Sequence, residues 1–169
     1  MSVSLVRWSV LLLVLATACG GDEEEDPVLP PSAELGTGEN DFEAMDNGDE
    51  VIVIQGPQGG FHLLGSVRVT GVERGDPKDL SDPKNPTTVF QVFRGTERID
   101  AMGATFTQGL DRVEPGVYEM VGRFLILDIL ADDEVDGDTL RVTVEVRDVN
   151  GVQVSDERSI VAIPHPQNP

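Results

Sequence analysis

The sequence predicts an all-β protein: one antiparallel β-sandwich of about seven or eight strands, set behind an export signal and a disordered acidic tether. Three observations predict it. From Glu50 to Ile163 apolar residues recur with period two, and no stretch carries the 3.6-residue stripe of an amphipathic helix. Turn-forming residues, among them Gly56-Pro57, Gly95-Thr96 and Asn150-Gly151, punctuate that stretch at short intervals. The stretch has the length of a domain with two packed sheets, and a chain with one cysteine cannot close a disulfide within itself.

The elements follow in order. Residues 1–18 read as a signal peptide: Arg7, the apolar run Val10-Leu11-Leu12-Leu13-Val14-Leu15, then the small residues Ala16-Thr17-Ala18. Trp8 to Ala18 is too short to cross a bilayer, which takes about 20 residues. Directly after it stands Cys19, the only cysteine. This arrangement resembles the lipobox of bacterial lipoproteins. The resemblance implies cleavage before Cys19, a lipid on its thiol and anchorage in the cell envelope. Gly20, where an aspartate would resemble an inner-membrane retention signal, implies the outer membrane.

Loss of residues 1–18 leaves 11 basic against 31 acidic residues, a formal charge of −20. The excess is uneven, for residues 20–50 hold 12 acids and no Lys or Arg. With Asp22-Glu23-Glu24-Glu25-Asp26 and the prolines 27, 30 and 31, residues 19–49 read as the lipidated cysteine and a flexible acidic tether, self-repelling and poor in apolar surface. A flexible chain of roughly 30 residues reaches on the order of 30 Å. The charge also argues against nucleic acid, whose binding needs clustered Lys and Arg, and against attraction to an anionic membrane. The only lysines, Lys78 and Lys84, lie in one proline-rich loop.

The sandwich is expected over residues 50–164, with 165–169 a short tail. Val51-Ile52-Val53-Ile54 is its first strand. After the glycine-rich turn, Phe61 to Arg74 places Phe61, Leu63, Val67 and Val69 on one face and His62, Leu64, Ser66, Arg68 and Thr70 on the other. Three Asx-Pro steps make residues 75–86 a loop. Thr88 to Arg94 and Glu97 to Thr105 read as a hairpin on Gly95-Thr96, of the type II′ kind. Val117 to Leu130 is the longest apolar strand. Leu140, Val142, Val144 and Val146 alternate with polar residues, and Asn150-Gly151 turns the chain into Val152 to Ile163.

Two segments resemble immunoglobulin-like domains. Glu114-Pro115-Gly116-Val117-Tyr118 is similar to a tyrosine corner, in which the hydroxyl bonds back to nearby backbone at a strand entrance. The stretch from Asp138 to Gly151 resembles the late hairpin of bacterial immunoglobulin-like adhesive modules. Together they imply an immunoglobulin-like β-sandwich, with the resemblance covering the last third of the chain.

Candidate sites are few. Asp132, Glu134, Asp136, Gly137 and Asp138 are spaced like the opening of a calcium loop, although its twelfth position is Thr143 where a bidentate glutamate is expected. The alternative is an acidic turn between Leu130 and Leu140. Gln58, Gly59, Gly60 and His62 form a second candidate, in which glycines bring an imidazole to the sheet rim as a ligand or copper site. A turn with a satisfied edge histidine is the other reading. His62 and Ser66, roughly 13 Å apart along a strand, cannot form a catalytic pair. With no nucleophile elbow, phosphate loop or paired-histidine motif, no residue is assigned to catalysis.

The expected function is therefore non-catalytic: a lipid-anchored envelope or cell-surface module that binds a protein or glycan, or serves structurally. Its contacts are expected on loops at one end, including residues 55–62, 75–86 and 131–138. A calcium- or copper-binding lipoprotein is the first alternative and an envelope hydrolase the second.

Overall fold

The computed structural model describes residues 26–101 and 104–168, so Cys19, the signal and the acid block before Asp26 lie outside the described residues. Eleven strands form two facing layers: β1 (Ser32–Thr37), β2 (Glu43–Ala44), β3 (Glu50–Gln55), β4 (Phe61–Thr70), β5 (Thr87–Arg94), β6 (Glu97–Arg98), β7 (Ala104–Thr107), β8 (Asp111–Glu114), β9 (Val117–Leu127), β10 (Thr139–Arg147) and β11 (Gln153–Pro164). One layer runs β2-β1-β4-β9-β8; the other runs β3-β11-β10-β5, with β6 and β7 both pairing β5. Strand β3 belongs to both. Its first residues run parallel to the end of β11, Val161 opposite Glu50, while Ile54 pairs with His62 of β4. This order, with the first part of the chain switching sheets to lie beside the last strand, is the immunoglobulin-like sandwich that the sequence predicts.

Alternation drives it. Leu140, Val142, Val144 and Val146 of β10 are buried, as are Phe61, Leu63, Val67 and Val69 of β4, so the inner faces of both layers are continuous aliphatic surface. Phe90 and Ile160 close the core from β5 and β11. The Gly95-Thr96 hairpin pairs Arg94 with Glu97, and Gly95 alone takes positive φ, as a II′ turn requires.

Four expectations need correction. Residues 32–49 are not tether: Ser32–Thr37 pairs with β4 over five registers and carries Leu35 into the core, and Met45 is buried too. Its acids Glu39, Asp41, Glu43, Asp46 and Asp49 stay exposed, and Glu34, within β1, has a basic partner. Arg68 on β4 pairs with Glu34 at 3.7 Å and Glu119 at 2.7 Å, and its guanidinium lies 4.3 Å over the Phe42 ring.

The span Glu97 to Thr105 is not one strand. After Arg98 the chain leaves β5 for the other layer, where Ala101 N donates to Ile126 O and Asp128 N to Ile99 O. Asp100 covers the gap, accepting Val92 N at 3.0 Å and Arg98 Nε at 2.8 Å. This segment hydrogen-bonds the two layers together along one side.

Tyr118 is not a corner. In this topology that motif belongs at the start of β10, whereas Tyr118 begins β9, and its hydroxyl donates to the Asp26 carboxylate instead of to nearby backbone.

The three loops expected to share an end do not. Loop 75–86 leads into the start of β5, which lies beside the end of β10, Thr87 opposite Arg147. Residues 55–62 and 128–138 follow the ends of β3 and β9 at the other pole.

Candidate functional site

A register change in β9 creates the most distinctive surface. Leu125 pairs with Leu63, but Met120 pairs with Val67, so β9 accommodates one more residue than β4 between these points. The extra residue sits at Gly122, with φ of +69°; its N–H donates to the buried Ser66 hydroxyl at 3.0 Å. A Cβ there would stand 2.4 Å from Glu39 O. The bulge shifts the alternation, so Tyr118 and Met120 face inward before it and Leu125 and Leu127 after it. Phe124 and Ile126 consequently face outward, 60% and 44% exposed.

They have apolar neighbours. Ile126 lies opposite His62, which lies opposite Ile54, and Phe124 lies opposite Leu64. The His62 and Phe124 rings meet at 4.5 Å with a 53° tilt. Ile52, 45% exposed, extends the patch along β3. Two shallow depressions mark it. One, of about 460 Å³, lies between the 56–62 turn and Phe124 and Ile126. The other, of about 360 Å³, is lined by Ile52, Ile54 and Leu64 and rimmed by Glu39, Glu43 and Glu50.

The glycine turn holds the upper rim. Gly56 N donates to Gly60 O at 2.8 Å and Gly59 N to Gly56 O at 2.9 Å, with Gly59 at φ +86°. Gln58, Gly59 and Gly60 therefore form a closed, exposed tip, and His62 stands beneath it with its pKa lowered by burial. His62 is thus brought to the rim, but beside phenylalanine and isoleucine rather than beside other metal-ligating side chains. Ser66 is buried and engaged with Gly122 N, well away from solvent.

The acidic loop is assembled differently from a cation site. Residues Asp132–Glu134 make one 3₁₀ turn, and Glu134 Oε1 accepts the N–H groups of Leu130 and Ala131 at 2.7 and 3.0 Å. Asp132 accepts from the Asn168 amide at 2.7 Å, and Asp138 lies 3.9 Å from Arg94. Asp136 is exposed. Among the described residues, no three His, Asp or Glu side chains are placed to share a metal ion.

The outer face of the opposite sheet holds a larger depression of about 630 Å³, lined by Gln91, Thr143, Glu145, Ser155 and Glu157. It is polar and well solvated. The β3-β4-β9 face differs in presenting apolar side chains to water without apparent structural need.

No family model matches the chain, and no curated protein matches it. Among solved structures it is similar to the CooA pilin subunit from enterotoxigenic Escherichia coli, with 13% identity and a TM-score of 0.33 over 80% of this chain and 100% of that one. A likeness of that degree carries no argument about function.

Proposed function

We propose that this chain is a lipid-anchored, non-catalytic binding module of the bacterial envelope, held by Cys19, with the β3-β4-β9 outer face as its contact surface. The observation that carries the binding role is the outward pairing of Phe124 and Ile126 with Leu64 and His62. Their placement supports it. Asp26, where the described chain begins, is bound at the opposite pole from the 56–62 turn, by Gly116 N, Tyr118 Oη and Arg112. A module tethered at one pole presents the other to a partner.

The surface favours a protein over a glycan. Its centre is aliphatic and aromatic, which suits an apolar protein patch, and its rim of Glu39, Glu43 and Glu50 suits a basic surround on that partner. The burial of Ile126 and Phe124 against such a surface supplies affinity, while the rim carboxylates steer encounter.

The test is cross-linking in intact cells with a photoreactive residue at Ile126, set beside one at Thr143 on the opposite face. A defined protein adduct from position 126 alone, lost when Phe124 is changed to Ser, is the expected outcome. Equal labelling from both positions, or adducts with glycan only, would contradict the assignment.

A further inference from the structure

The pole that holds Asp26 has a second unusual feature. Val28 is fully exposed, Leu80 is 73% exposed and Val149 is 52% exposed. All three belong to this pole: Val28 to the entering chain, Leu80 to loop 75–86 and Val149 to the β10–β11 hairpin. Val28 and Asn150, the neighbour of Val149, border one depression there.

Leu80 is not exposed because its loop is loose. Asn85 is buried, accepting from Asp76 N at 3.0 Å and donating to Asp79 O at 2.8 Å. Asp76, Asp79 and Asp82 each accept a backbone N–H two residues on, from Lys78, Ser81 and Lys84, all at 2.9 Å. The loop is a closed set of Asx turns that turns its carboxylates onto its own backbone. What it leaves outward is Leu80 between Lys78 and Lys84, the only lysines in the protein, and both are exposed. Neither pairs with a carboxylate among the described residues.

Chain length fixes what lies nearby. Asp26 is seven residues beyond Cys19, and seven residues span at most about 25 Å. If Cys19 carries a lipid, Asp26 stays within that distance of the bilayer, which brings the apolar tips and ammonium groups of this pole within reach of the headgroups.

We infer that this pole rests on the bilayer: Leu80, Val28 and Val149 enter the headgroup layer, and Lys78 and Lys84 contact phospholipid phosphate oxygens. This rests on the lipid anchor proposed above. Lys side chains suit such a position because their stems lie along apolar surface while the charge meets phosphate. The net negative charge opposes a strongly anionic membrane, so contact is local and depends on the anchor. The module is consequently seated, with the β3-β4-β9 face at a set height and orientation, rather than swinging on a long tether.

The test uses the full chain expressed with its signal and purified from cells, reconstituted with vesicles of phosphatidylethanolamine and phosphatidylglycerol. An environment-sensitive fluorophore is attached at a single introduced cysteine, L80C, V149C or F124C, and nitroxide-labelled lipid is the quencher. Quenching several-fold stronger at positions 80 and 149 than at 124 is expected, with loss at 149 when Leu80, Lys78 and Lys84 are replaced by Asp, Glu and Glu. Equal, weak quenching at all three positions in protein that floats with the vesicles would overturn the seat and leave the anchor standing. Protein that fails to float would overturn the anchor, and the seat with it.

Discussion

The Tyr118 hydroxyl donates to Asp26 Oδ2 at 2.7 Å, joining residues 92 positions apart. Gly116 N and Arg112 bind the other oxygen of the same carboxylate, at 3.1 and 2.6 Å. The hydrogen bond from Tyr118 is the main reason that the Asp26 pKa lies below the usual carboxylate value. Burial, with Asp26 beside it, pushes the Tyr118 phenol up to about 12.

Tyr118 is the only tyrosine, so tyrosinate absorbance reads this contact directly. The folded phenol has a raised pKa, so its contribution to stability holds below the ordinary value of 10.0 and is lost as pH rises towards about 12. Asp26→Asn should move the midpoint down towards 10.0, and Tyr118→Phe should speed amide exchange at Gly116, whose N–H the docked Asp26 carboxylate accepts. An unshifted midpoint in Asp26→Asn would show that Asp26 does not dock there.

Asp100 is expected to matter more to stability. Its side chain is 1% exposed. Burial alone would raise its pKa, but hydrogen bonds from Arg98 and Val92 N outweigh that and lower it. A depressed carboxyl stabilises the fold above its unfolded pKa, and that contribution is lost as pH falls through the lower folded value. Asp100→Ala should therefore cost roughly 1.5–3 kcal/mol in urea unfolding at neutral pH, and less in strong acid. A variant as stable as the parent at neutral pH would remove this residue from the account of how the two layers are joined.

His62 offers a test of the apolar face. Burial beside Phe124 lowers its pKa from the ordinary 6.5 and favours the neutral imidazole. Phe124→Ala uncovers the ring, and its pKa, followed by proton NMR, should rise towards 6.5. Stability should change little, because Phe124 is mostly exposed. No rise would mean that the burial of His62 has another source.

For the acidic loop, the expected result is independence from calcium. Glu134 caps backbone N–H groups, Asp132 holds Asn168 and Asp138 faces Arg94, so millimolar Ca²⁺ should leave the melting midpoint where chelator leaves it. A rise in the midpoint that Asp136→Ala abolishes would make the acidic loop a calcium site.

Much of the sandwich was legible because alternation is a local signal. The alternating valines of β10, the apolar face of β4, the Gly95-Thr96 hairpin and the proline loop all follow from residue type and spacing. What was illegible depends on distant partners. β1 is short, has only Ala33 and Leu35 as apolar residues and lies in an acid-rich stretch, so it does not look like a strand unless Arg68 is known to receive Glu34. Its alternation of Ala33 and Leu35 with Glu34 was the available clue. Tyr118 looks like a corner until the topology places it at the start of β9 and brings Asp26 beneath it. The apolar face was hidden most completely. Phe124-Leu125-Ile126-Leu127 reads as a strand buried on both sides, and only the bulge at Gly122 determines which pair faces water.

The anchor is the premise on which the seated, outward-facing module stands, and intact mass measurement of protein purified from the membrane fraction tests it most directly. The expected species begins at Cys19, lacks residues 1–18 and carries the mass of a lipid, while Cys19→Ser gives an unlipidated chain that leaves the membrane. An unmodified Cys19 in protein recovered from the soluble fraction would contradict it.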